Sequence, residues 1–456
     1  MARTLEPYEQ EFAKTRQAGA DALARTREEA FARFLTLGFP TTKDEEWRFT
    51  SVAPIAEQRF ALAAPRAADA APPGLTPFRL DGPFGAELVF VDGRYAPALS
   101  AAGDLPRGVR VENLRSAGDE GGHHLGRVAP ASRHAFVALN TAFLADGAFI
   151  HVPAHAVVEQ PIHVLFLSTG AGNGRAVRHG GPPNQHWPVG SPSDPTLMAH
   201  PRVLVVLGDD SQASVVESYA GPEGTRYLTN AVTELVLGPH AVLDHYKLQH
   251  ESVEAYHVGG TYIHAARSAN CSSNSVSLGG ALVRNDVVAV LDGEGGECTL
   301  NGLYLGDAQR LVDNHTTIDH AKAHCGSREI YKGILADRAR GVFNGKIIVR
   351  ADAQKTDAKQ TNRALLLSHD AQINTKPQLE ILANDVKCTH GAAVGQLDEE
   401  AVFYLRSRGI GRAEARRLLI HAFAGDVLQR MPVAAIREAV EHVLQRQLAR
   451  ALDAAA

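Results

Sequence analysis

Short apolar runs dominate the middle of the chain. From about Ala135, runs such as PIHVLFL, RVLVVLG and KIIVRADA follow one another and are separated by Gly, Asn and Asp, which is typical of strands bounded by turns. Between Asn230 and Leu397 no long amphipathic helix is predicted, and few runs are joined by two-residue hairpin signals. The pattern therefore disfavours βαβ units and simple meanders. It favours a β-helix, whose coils cover each other's edges, with a β-sandwich as the alternative.

The N-terminal pattern is helical. Between Leu5 and Leu37 large apolar residues recur at steps of three to four, and Gly38 and Pro40 then end the pattern. The segment from Ala53 to Pro83 is rich in Ala and Pro and predicts a loosely structured connection. The apolar positions of the helical pattern are Tyr8, Phe12, Leu23, Phe31, Phe34 and Leu35.

The C-terminal pattern is helical as well. Asp398 is a predicted N-cap for a short helix that ends at Gly409-Ile410-Gly411. A second helix follows, and Pro432 opens a third. The second helix is predicted to have one apolar face, formed by Ala415, Leu418, Leu419, Ala422, Phe423 and Val427. The third is predicted to bury Ile436, Val440, Val443, Leu444 and Leu448.

These patterns predict three regions. Residues 1–130 form an N-terminal region that is helical at its start, residues 131–396 a β-helix core, and residues 397–456 a helical domain. A Gly-, Pro- and Ser-rich stretch at 171–201 is expected to be a flexible loop whose histidines, His179, His186 and His200, are solvated. The mainly β core between helical ends is the predicted fold class.

Composition narrows the function classes. The 456 residues are 45% hydrophobic and 21% charged, and the formal net charge of -5 offers no broad basic field for nucleic acid. No segment reaches the roughly 20 apolar residues that span a bilayer, and the first residues are charged from Arg3 onward. A cytoplasmic protein without nucleic-acid or membrane partners is therefore predicted.

The four cysteines have no CxxC spacing, so a zinc ribbon or a disulfide framework is not expected. Cys271, Cys298 and Cys325 are each 27 residues apart, a spacing that could stack them on neighbouring turns of a coil. Buried, inert thiols are the favoured interpretation. Cys388 is the fourth.

Two places concentrate groups that bind metals. VDNHTTIDHAKAH carries His315, His320 and His324, together with Asp313, Asp319 and the following Cys325. Imidazole, carboxylate and thiolate suit iron or zinc, but the spacing does not distinguish a metal site from side chains that hydrogen-bond along strand bends.

The second place is the pair Cys388 and His390. If the segment is a strand, both side chains project to the same side and Thr389 to the other. A thiol and an imidazole that converge could ligate a soft metal or hold sulfur, and a neighbouring imidazolium would lower the pKa of the thiol. No GxxxxGK[ST] run, GxGxxG after a strand or seryl-hydrolase elbow occurs, so ATP hydrolysis by this chain is not expected.

Longer stretches resemble a known family. DNHTTIDHAKAHCGSREIYKGIL from Asp313, and the nearly continuous sequence to Ile410, are similar to the SufB/SufD family of iron-sulfur cluster assembly proteins, as is GFPTTKDEEWRFT from Gly38. The form KCTHGA and the small number of cysteines resemble the SufD branch. Departures at Ala323, Asn384 and Ala393 touch none of the expected ligands.

The resemblance implies a right-handed parallel β-helix with helical ends, working as a non-catalytic scaffold on which a transient iron-sulfur cluster forms. It implies a SufB-like subunit and a SufC-like ATPase as partners, and assigns cluster assembly to His390 with Cys388. The ATPase contact is expected at Phe403, Tyr404, Arg406, Ala413, Arg416 and Arg417. No tightly bound cofactor is expected; reduced flavin is associated with the family's complex, but no residue here is assigned to it. Self-pairing of an isolated chain as a homodimer stays open.

Two other function classes remain as alternatives. A β-helix carbohydrate-active enzyme would present acidic and basic groups along one open groove. An independent metalloenzyme would use His315, His320 and His324.

Overall fold

The computed structural model describes residues 5–17, 23–64, 78–170, 176–177, 187–188 and 196–453. The helices are α1 (Glu6–Gln17), α2 (Ala24–Leu37), α3 (Ala53–Ala56), α4 (Gly118–His124), α5 (Ala135–Ala142), α6 (Glu399–Ser407), α7 (Arg412–Leu428) and α8 (Ala434–Asp453). The strands up to the central coils are β1 (Phe60–Leu62), β2 (Ala86–Val91), β3 (Arg94–Tyr95), β4 (Ala101–Ala102), β5 (Arg110–Asn113), β6 (Ala148–Val152), β7 (Ile162–Leu167), β8 (Ala176–Val177), β9 (Trp187–Pro188), β10 (Thr196–Ala199), β11 (Arg202–Leu207) and β12 (Gln212–Ala220).

The remaining strands are β13 (Tyr227–Leu237), β14 (Val242–His250), β15 (Tyr256–Ala265), β16 (Asn270–Ser277), β17 (Leu282–Leu291), β18 (Glu297–Gly306), β19 (Leu311–His320), β20 (Gly326–Leu335), β21 (Arg340–Val349), β22 (Asp357–Leu366), β23 (Gln372–Ile381) and β24 (Lys387–Gln396). From β11 onward, odd-numbered strands form one sheet and even-numbered strands form another. Each strand pairs in parallel with the next strand but one, which makes the core a parallel β-solenoid. The predicted β-helix is confirmed, and the β-sandwich alternative is wrong.

Inward side chains repeat from coil to coil in register. One such ladder runs through Leu235, Ile263, Ala289, Ile318 and Ile347, all of them buried. Because strand side chains alternate between faces, a slip of one residue would turn this whole ladder outward. Stacked apolar ladders therefore fix the register of the solenoid.

The corners of the coils follow a repeat that sequence inspection missed. Asp210, His240, Ser268, His324 and Lys355 all have φ between 54° and 62°, in the left-handed region. At each of these residues the backbone N–H donates to a carbonyl of the next coil, for example from His324 to Gln354 O at 2.8 Å. Asp and His adopt this conformation more readily than most other residues that carry a side chain, although Ala308, with φ of 51°, shows that the signal is not strict.

Helices cover the outer faces of both sheets. The N-terminal helices α1, α2 and α5 pack on the odd-numbered sheet in a cluster that includes Phe12, Phe34 and Val258. The C-terminal helices α7 and α8 pack on the even-numbered sheet, where Ile420 and Val440 meet Tyr246 and Leu303 among others. Each sheet is thus buried on its inner face by the other sheet and over part of its outer face by helices.

The helical pattern from Leu5 to Leu37 is confirmed by α1 and α2, and Gly38 ends it with φ of 62°. The loosely structured connection is wrong in part, because α3 and β1 form within it and β1 pairs with β10. The three-region division stays a prediction; β2 and β5, which precede residue 131, extend the two sheets.

The three predicted C-terminal helices form, and the third begins at Ala434, two residues after Pro432. Asp398 caps α6, since its carboxylate accepts from the N–H groups of Glu400 at 2.9 Å and Ala401 at 3.3 Å. The predicted face of α7 is wrong in part, because Leu418 and Ala422 are exposed. The residues that α7 buries are Ala415, Ile420, Ala424, Val427 and Leu428. In α8 the predicted Ile436, Val440, Val443, Leu444 and Leu448 are all buried.

The stretch 171–201 lies largely outside the described residues, including His179 and His186. Its end is not a loop, because β10 pairs in parallel with β1 and β13. The prediction that His200 is solvated is wrong: the ring is buried, stacks on Phe143 at 5.3 Å, and has its pKa lowered by burial to about 3. None of the described helices is long and apolar enough to cross a membrane.

Candidate functional site at the open end of the solenoid

Within the described ranges of the chain, no segment covers the last coil of the solenoid. The strands β23 and β24 stand at the ends of their sheets, and each is ten residues long. Inward positions that are buried in β22 become accessible one coil later in β24. Ala358, Gln360, Asn362 and Ala364 are buried, whereas their register partners Cys388, His390, Ala392 and Val394 are half-buried or exposed. The interior of the coil therefore ends on an accessible surface, here called the open end.

Cys388 and His390 both lie on this inward face. Cys388 follows Ala358 in register and packs on the apolar cluster of Ile347 and Val349, and His390 follows Gln360. The predicted convergence on one side agrees with this register. Burial raises the pKa of the Cys388 thiol, so the prediction that a neighbouring imidazolium would lower it is not met in this chain.

The open end is also apolar in part. Leu382, just beyond β23, is 71% exposed, and Ile381 and Val394 are exposed as well. Unpaired strand edges beside exposed apolar side chains attract further strands, and natural proteins usually blunt them. In β23 the ring of Pro377 removes one backbone N–H, whereas β24 contains no proline. The free edge of β24 is therefore the better one for pairing.

The three histidines of VDNHTTIDHAKAH do not converge. His320 points into the solenoid, where its Nε2 lies 3.0 Å from Ser327 Oγ and burial lowers its pKa to about 4. His324 stands at an exposed coil corner, 3.7 Å from Glu294 Oε1. Among the described residues no group of three or more His, Cys, Asp or Glu side chains could hold a metal ion. The hypothesis of a metal site from these histidines is therefore not supported.

His315 belongs instead to a clamp that holds the N-terminal segment. Its ring lies 3.1 Å from Asp313 Oδ1 on one side and 3.1 Å from Glu46 Oε2 on the other. Arg284, which is buried, donates to Asp313 Oδ2 at 2.7 Å and to the carbonyl of Glu46 at 2.8 Å, and lies over the Trp47 ring at 4.4 Å. The motif DEEW thus serves to dock the N-terminal region on the solenoid.

The clamp shifts the ionisation of its members. Burial alone would raise the pKa of Asp313, but Arg284 and His315 outweigh burial and hold it at about 2. Burial alone would lower the pKa of His315, and Asp313 and Glu46 raise it instead. Asp313 is therefore ionised beside Arg284 at neutral pH.

Comparisons with known proteins agree with this geometry. The family model described as SUF system FeS cluster assembly, SufBD core domain, matches residues 190–423, and the model of the SufBD protein N-terminal region matches residues 2–164. The chain belongs to the SufBD family.

Similar curated relatives support this membership. The chain is 32% identical to an iron-sulfur cluster assembly SufBD family protein of Synechocystis, over 92% of this chain and 88% of the relative. It is 32% identical to the iron-sulfur cluster assembly protein SufD of Escherichia coli, over 87% and 86%. It is 30% identical to the chloroplastic protein ABCI7 of Arabidopsis thaliana, over 91% and 84%. The chain is thus a SufD-like iron-sulfur cluster assembly protein of the SufBD family.

The C-terminal helices of this SufBD protein present a second accessible surface. Phe403 is 70% exposed, and Tyr404 beside it is also exposed. Arg406, Ala413 and Arg417 are exposed as well, and Arg416 is half-buried with its guanidinium 3.8 Å from Glu399. Large exposed aromatic side chains with arginine nearby are typical of protein contacts. The structure thus leaves all six predicted contact residues at least partly accessible.

The remaining cysteines are structural. Cys271 and Cys298 stack in register in β16 and β18, and burial raises the pKa of both thiols. Cys325 is buried too but precedes β20, so that Ser327 rather than Cys325 continues the ladder. The 27-residue spacing therefore indicated stacking correctly for two of the three thiols.

Sequence inspection missed the polar interior of the solenoid. Glu217, His245 and Lys247 are buried inside the coil, and Glu217 Oε1 lies 3.1 Å from His245 Nε2. Further along, Glu329 and Gln360 stand in the same ladder as His390. The sequence pattern that could have predicted this interior is a run of polar residues at alternating positions within strands. Such a pattern normally indicates a face exposed to solvent, and it indicates an interior only when both faces of the strand are known to be covered.

Proposed function

We propose that this chain is a non-ATPase scaffold subunit that pairs with a SufB-like subunit through the open end of its solenoid. The observation that carries the proposal is the inward face of β24, where positions that are buried in every preceding coil lie uncovered. A second solenoid could extend both sheets across the free edges by strand addition. Cys388 and His390 would then lie at the junction between two subunits. Homodimer formation by an isolated chain would use the same edge.

The pair offers two ligands to a nascent iron-sulfur cluster, which is the cargo of the complex. Cluster iron is usually held by thiolates, and imidazole replaces thiolate in some centres. One thiol and one imidazole do not complete the coordination of a cluster, so the SufB-like partner would supply the remaining ligands. Because burial raises the pKa of Cys388, metal binding would have to displace its proton.

The second part of the proposal concerns the ATPase. This chain contains no phosphate-binding loop, so a SufC-like ATPase would contribute the nucleotide chemistry. The surface of Phe403, Tyr404, Arg406, Ala413, Arg416 and Arg417 is its proposed docking site. An ATPase acts on a partner only through contacts that differ between its two states. Helices α6 and α7 would transmit those differences to the solenoid. Reduced flavin and the cytoplasmic location remain predictions.

Cluster content tests the role of His390. The chain is co-expressed with its SufB-like and SufC-like partners, and iron and acid-labile sulfide are measured on the anaerobically purified complex. We expect His390→Ala to leave the complex assembled but to remove most of the cluster. His264→Ala is the matched control, since it removes a partly exposed imidazole from the outer face of β15. An unchanged cluster content in His390→Ala contradicts the assignment.

Co-purification tests the docking edge. Val394→Lys places a charge on the inward face of the free strand, and we expect the SufB-like subunit to be lost from the complex. Thr389→Lys adds the same charge to the opposite face of the same strand and should retain the partner. Equal behaviour of the two variants would refute pairing through this edge.

A further inference from the structure

Gln360 occupies the same position as His390 in the preceding coil of the solenoid. The two are register partners in β24 and β22, and Glu329 precedes Gln360 in β20. All three side chains lie on the inward face, so they form one ladder that leads from the buried interior to the open end. Neighbouring strands lie about 4.8 Å apart, which brings an amide and an imidazole in successive rungs within hydrogen-bonding reach.

Contacts with residues of the preceding coil hold the Gln360 amide in place. Its Nε2 donates to Glu329 Oε2 at 2.7 Å, and both side chains are buried. Gly345, across the coil in β21, leaves the space that the amide occupies, because a side chain at position 345 would collide with Gln360 Nε2. Burial raises the pKa of Glu329 to about 7, so near neutrality a good part of this carboxyl is uncharged. The amide is thus fixed by a hydrogen bond and by shape.

The other end of this amide lacks a partner. Within the part of the chain that the structure describes, Gln360 Oε1 is buried and accepts no hydrogen bond. A buried carbonyl oxygen without a donor is unfavourable, so such atoms usually have a partner in the working state of the protein. The imidazole of His390 also makes no hydrogen bond to any described residue, and it is the next side chain in the ladder.

We propose that Gln360 is a positioning residue for His390: its unpaired Oε1 accepts the ring N–H of His390 when the other ring nitrogen binds metal beside Cys388. This inference rests on the proposed function, in which His390 is a ligand. Histidine ligands generally donate their second ring nitrogen to a fixed acceptor, which sets both the tautomer and the ring orientation. A neutral amide oxygen supplies that acceptor, and the lone pair of the outer nitrogen is turned toward the open end.

Cobalt binding to the full chain tests the inference. Co²⁺ is titrated anaerobically, and the thiolate-to-cobalt absorption of Cys388 reports occupancy. We expect Gln360→Met, which keeps the length of the side chain and removes the acceptor, to weaken Co²⁺ binding by roughly 10- to 100-fold. Gln360→Glu restores an acceptor oxygen and should bind Co²⁺ about as well as the parent chain. Because Gln360→Met also removes the Nε2 donor to Glu329, the thermal unfolding of each variant shows whether weaker Co²⁺ binding merely follows a loss of stability.

Asn362→Leu provides the matched control. Asn362 is a buried amide two residues along the same strand, donates to Thr375 Oγ1 at 2.9 Å, and faces Ala392 in the next coil instead of a histidine. Its substitution should leave cobalt affinity unchanged. Thermal unfolding of each variant shows that the chain is folded in the titration.

The outcomes separate the inference from the proposed function. If His390→Ala weakens Co²⁺ binding but Gln360→Met does not, or if Asn362→Leu weakens it as much as Gln360→Met, the positioning role is refuted and the ligand role stands. If His390→Ala leaves the cobalt titration unchanged, or the parent chain gives no cobalt-thiolate band, the positioning role of Gln360 and the ligand role of His390 are both refuted, whereas pairing through the open end is judged by Val394→Lys. Weakening in Gln360→Met with recovery in Gln360→Glu supports the inference.

Discussion

Arg284→Met should weaken the docking of the N-terminal segment around Glu46 and Trp47 on the solenoid. The buried guanidinium donates to Asp313 and to the carbonyl of Glu46, pairs with Asp286 at 2.7 Å, and covers the face of Trp47. Methionine fills much of the same volume but leaves the Asp313 carboxylate buried with one cation fewer. Removing one partner of a buried pair typically destabilises a protein by about 3–5 kcal/mol.

The ionisation of Asp313 gives a second measure of the same interaction. Its pKa of about 2 lies below the ordinary 3.8, a difference that corresponds to roughly 2 kcal/mol in favour of the folded state at neutral pH. Because the folded-state pKa is lowered, this contribution is present above about pH 4 and is lost as the pH falls toward 2. We therefore expect Arg284→Met to destabilise the chain by about 3–5 kcal/mol at pH 7, and by less at pH 3.

Tryptophan fluorescence can follow this region selectively. The chain has two tryptophans, and in a Trp187→Phe background Trp47 is the only reporter. Urea unfolding is compared for the parent, Arg284→Met, Asp313→Asn and the double variant. Arg284 and Asp313 are in contact, so the free energy of unfolding lost in the double variant should be smaller than the sum of the two single losses. The difference should exceed about 1 kcal/mol.

The matched control is Arg226→Met, which breaks an exposed pair with Glu254 at 2.8 Å and should change stability by less than about 1 kcal/mol. A loss of stability in Arg284→Met as small as in this control would refute the stabilising role of Arg284. Additive losses for Arg284→Met and Asp313→Asn would refute their interaction.

Three further predictions concern the solenoid and the helices. Burial raises the pKa of Glu329 from 4.5 to about 7, so the parent chain loses stability as the pH rises from 4.5 through 7. In urea titrations between pH 5 and pH 9, the free energy of unfolding of Glu329→Gln should therefore rise by up to about 3 kcal/mol relative to that of the parent. An identical pH dependence of the two chains would refute this. A thiol reagent should label Cys388 alone in the native chain and all four cysteines after unfolding, because Cys271, Cys298 and Cys325 are buried. Labelling is located by peptide mass spectrometry, and labelling of Cys298 in the native chain would contradict the register. Phe403→Ala should lower co-purification of the SufC-like ATPase, whereas Val253→Ala, at an exposed apolar side chain of the solenoid, should not; equal yields would move the docking site elsewhere.

The amino-acid sequence by itself determined the local features of this protein. Runs of apolar residues with turn residues between them predicted strands, and the three-to-four residue steps predicted helices at both ends. The spacing of Cys388 and His390 placed them on one face, and Asp398 marked a helix start. Each of these depends on residues that are near one another in the chain, where alternation and capping act directly.

Only the tertiary structure decided which of these residues are accessible. His200 and His320 are buried, and His315 is paired with Asp313 and Glu46, because strands and segments distant in sequence cover them. His390 is accessible although Gln360, at the same position one coil earlier, is buried. The local pattern fixes the face of the strand on which a side chain lies. Whether another coil covers that face depends on where the solenoid ends, and this is set by packing between distant parts of the chain.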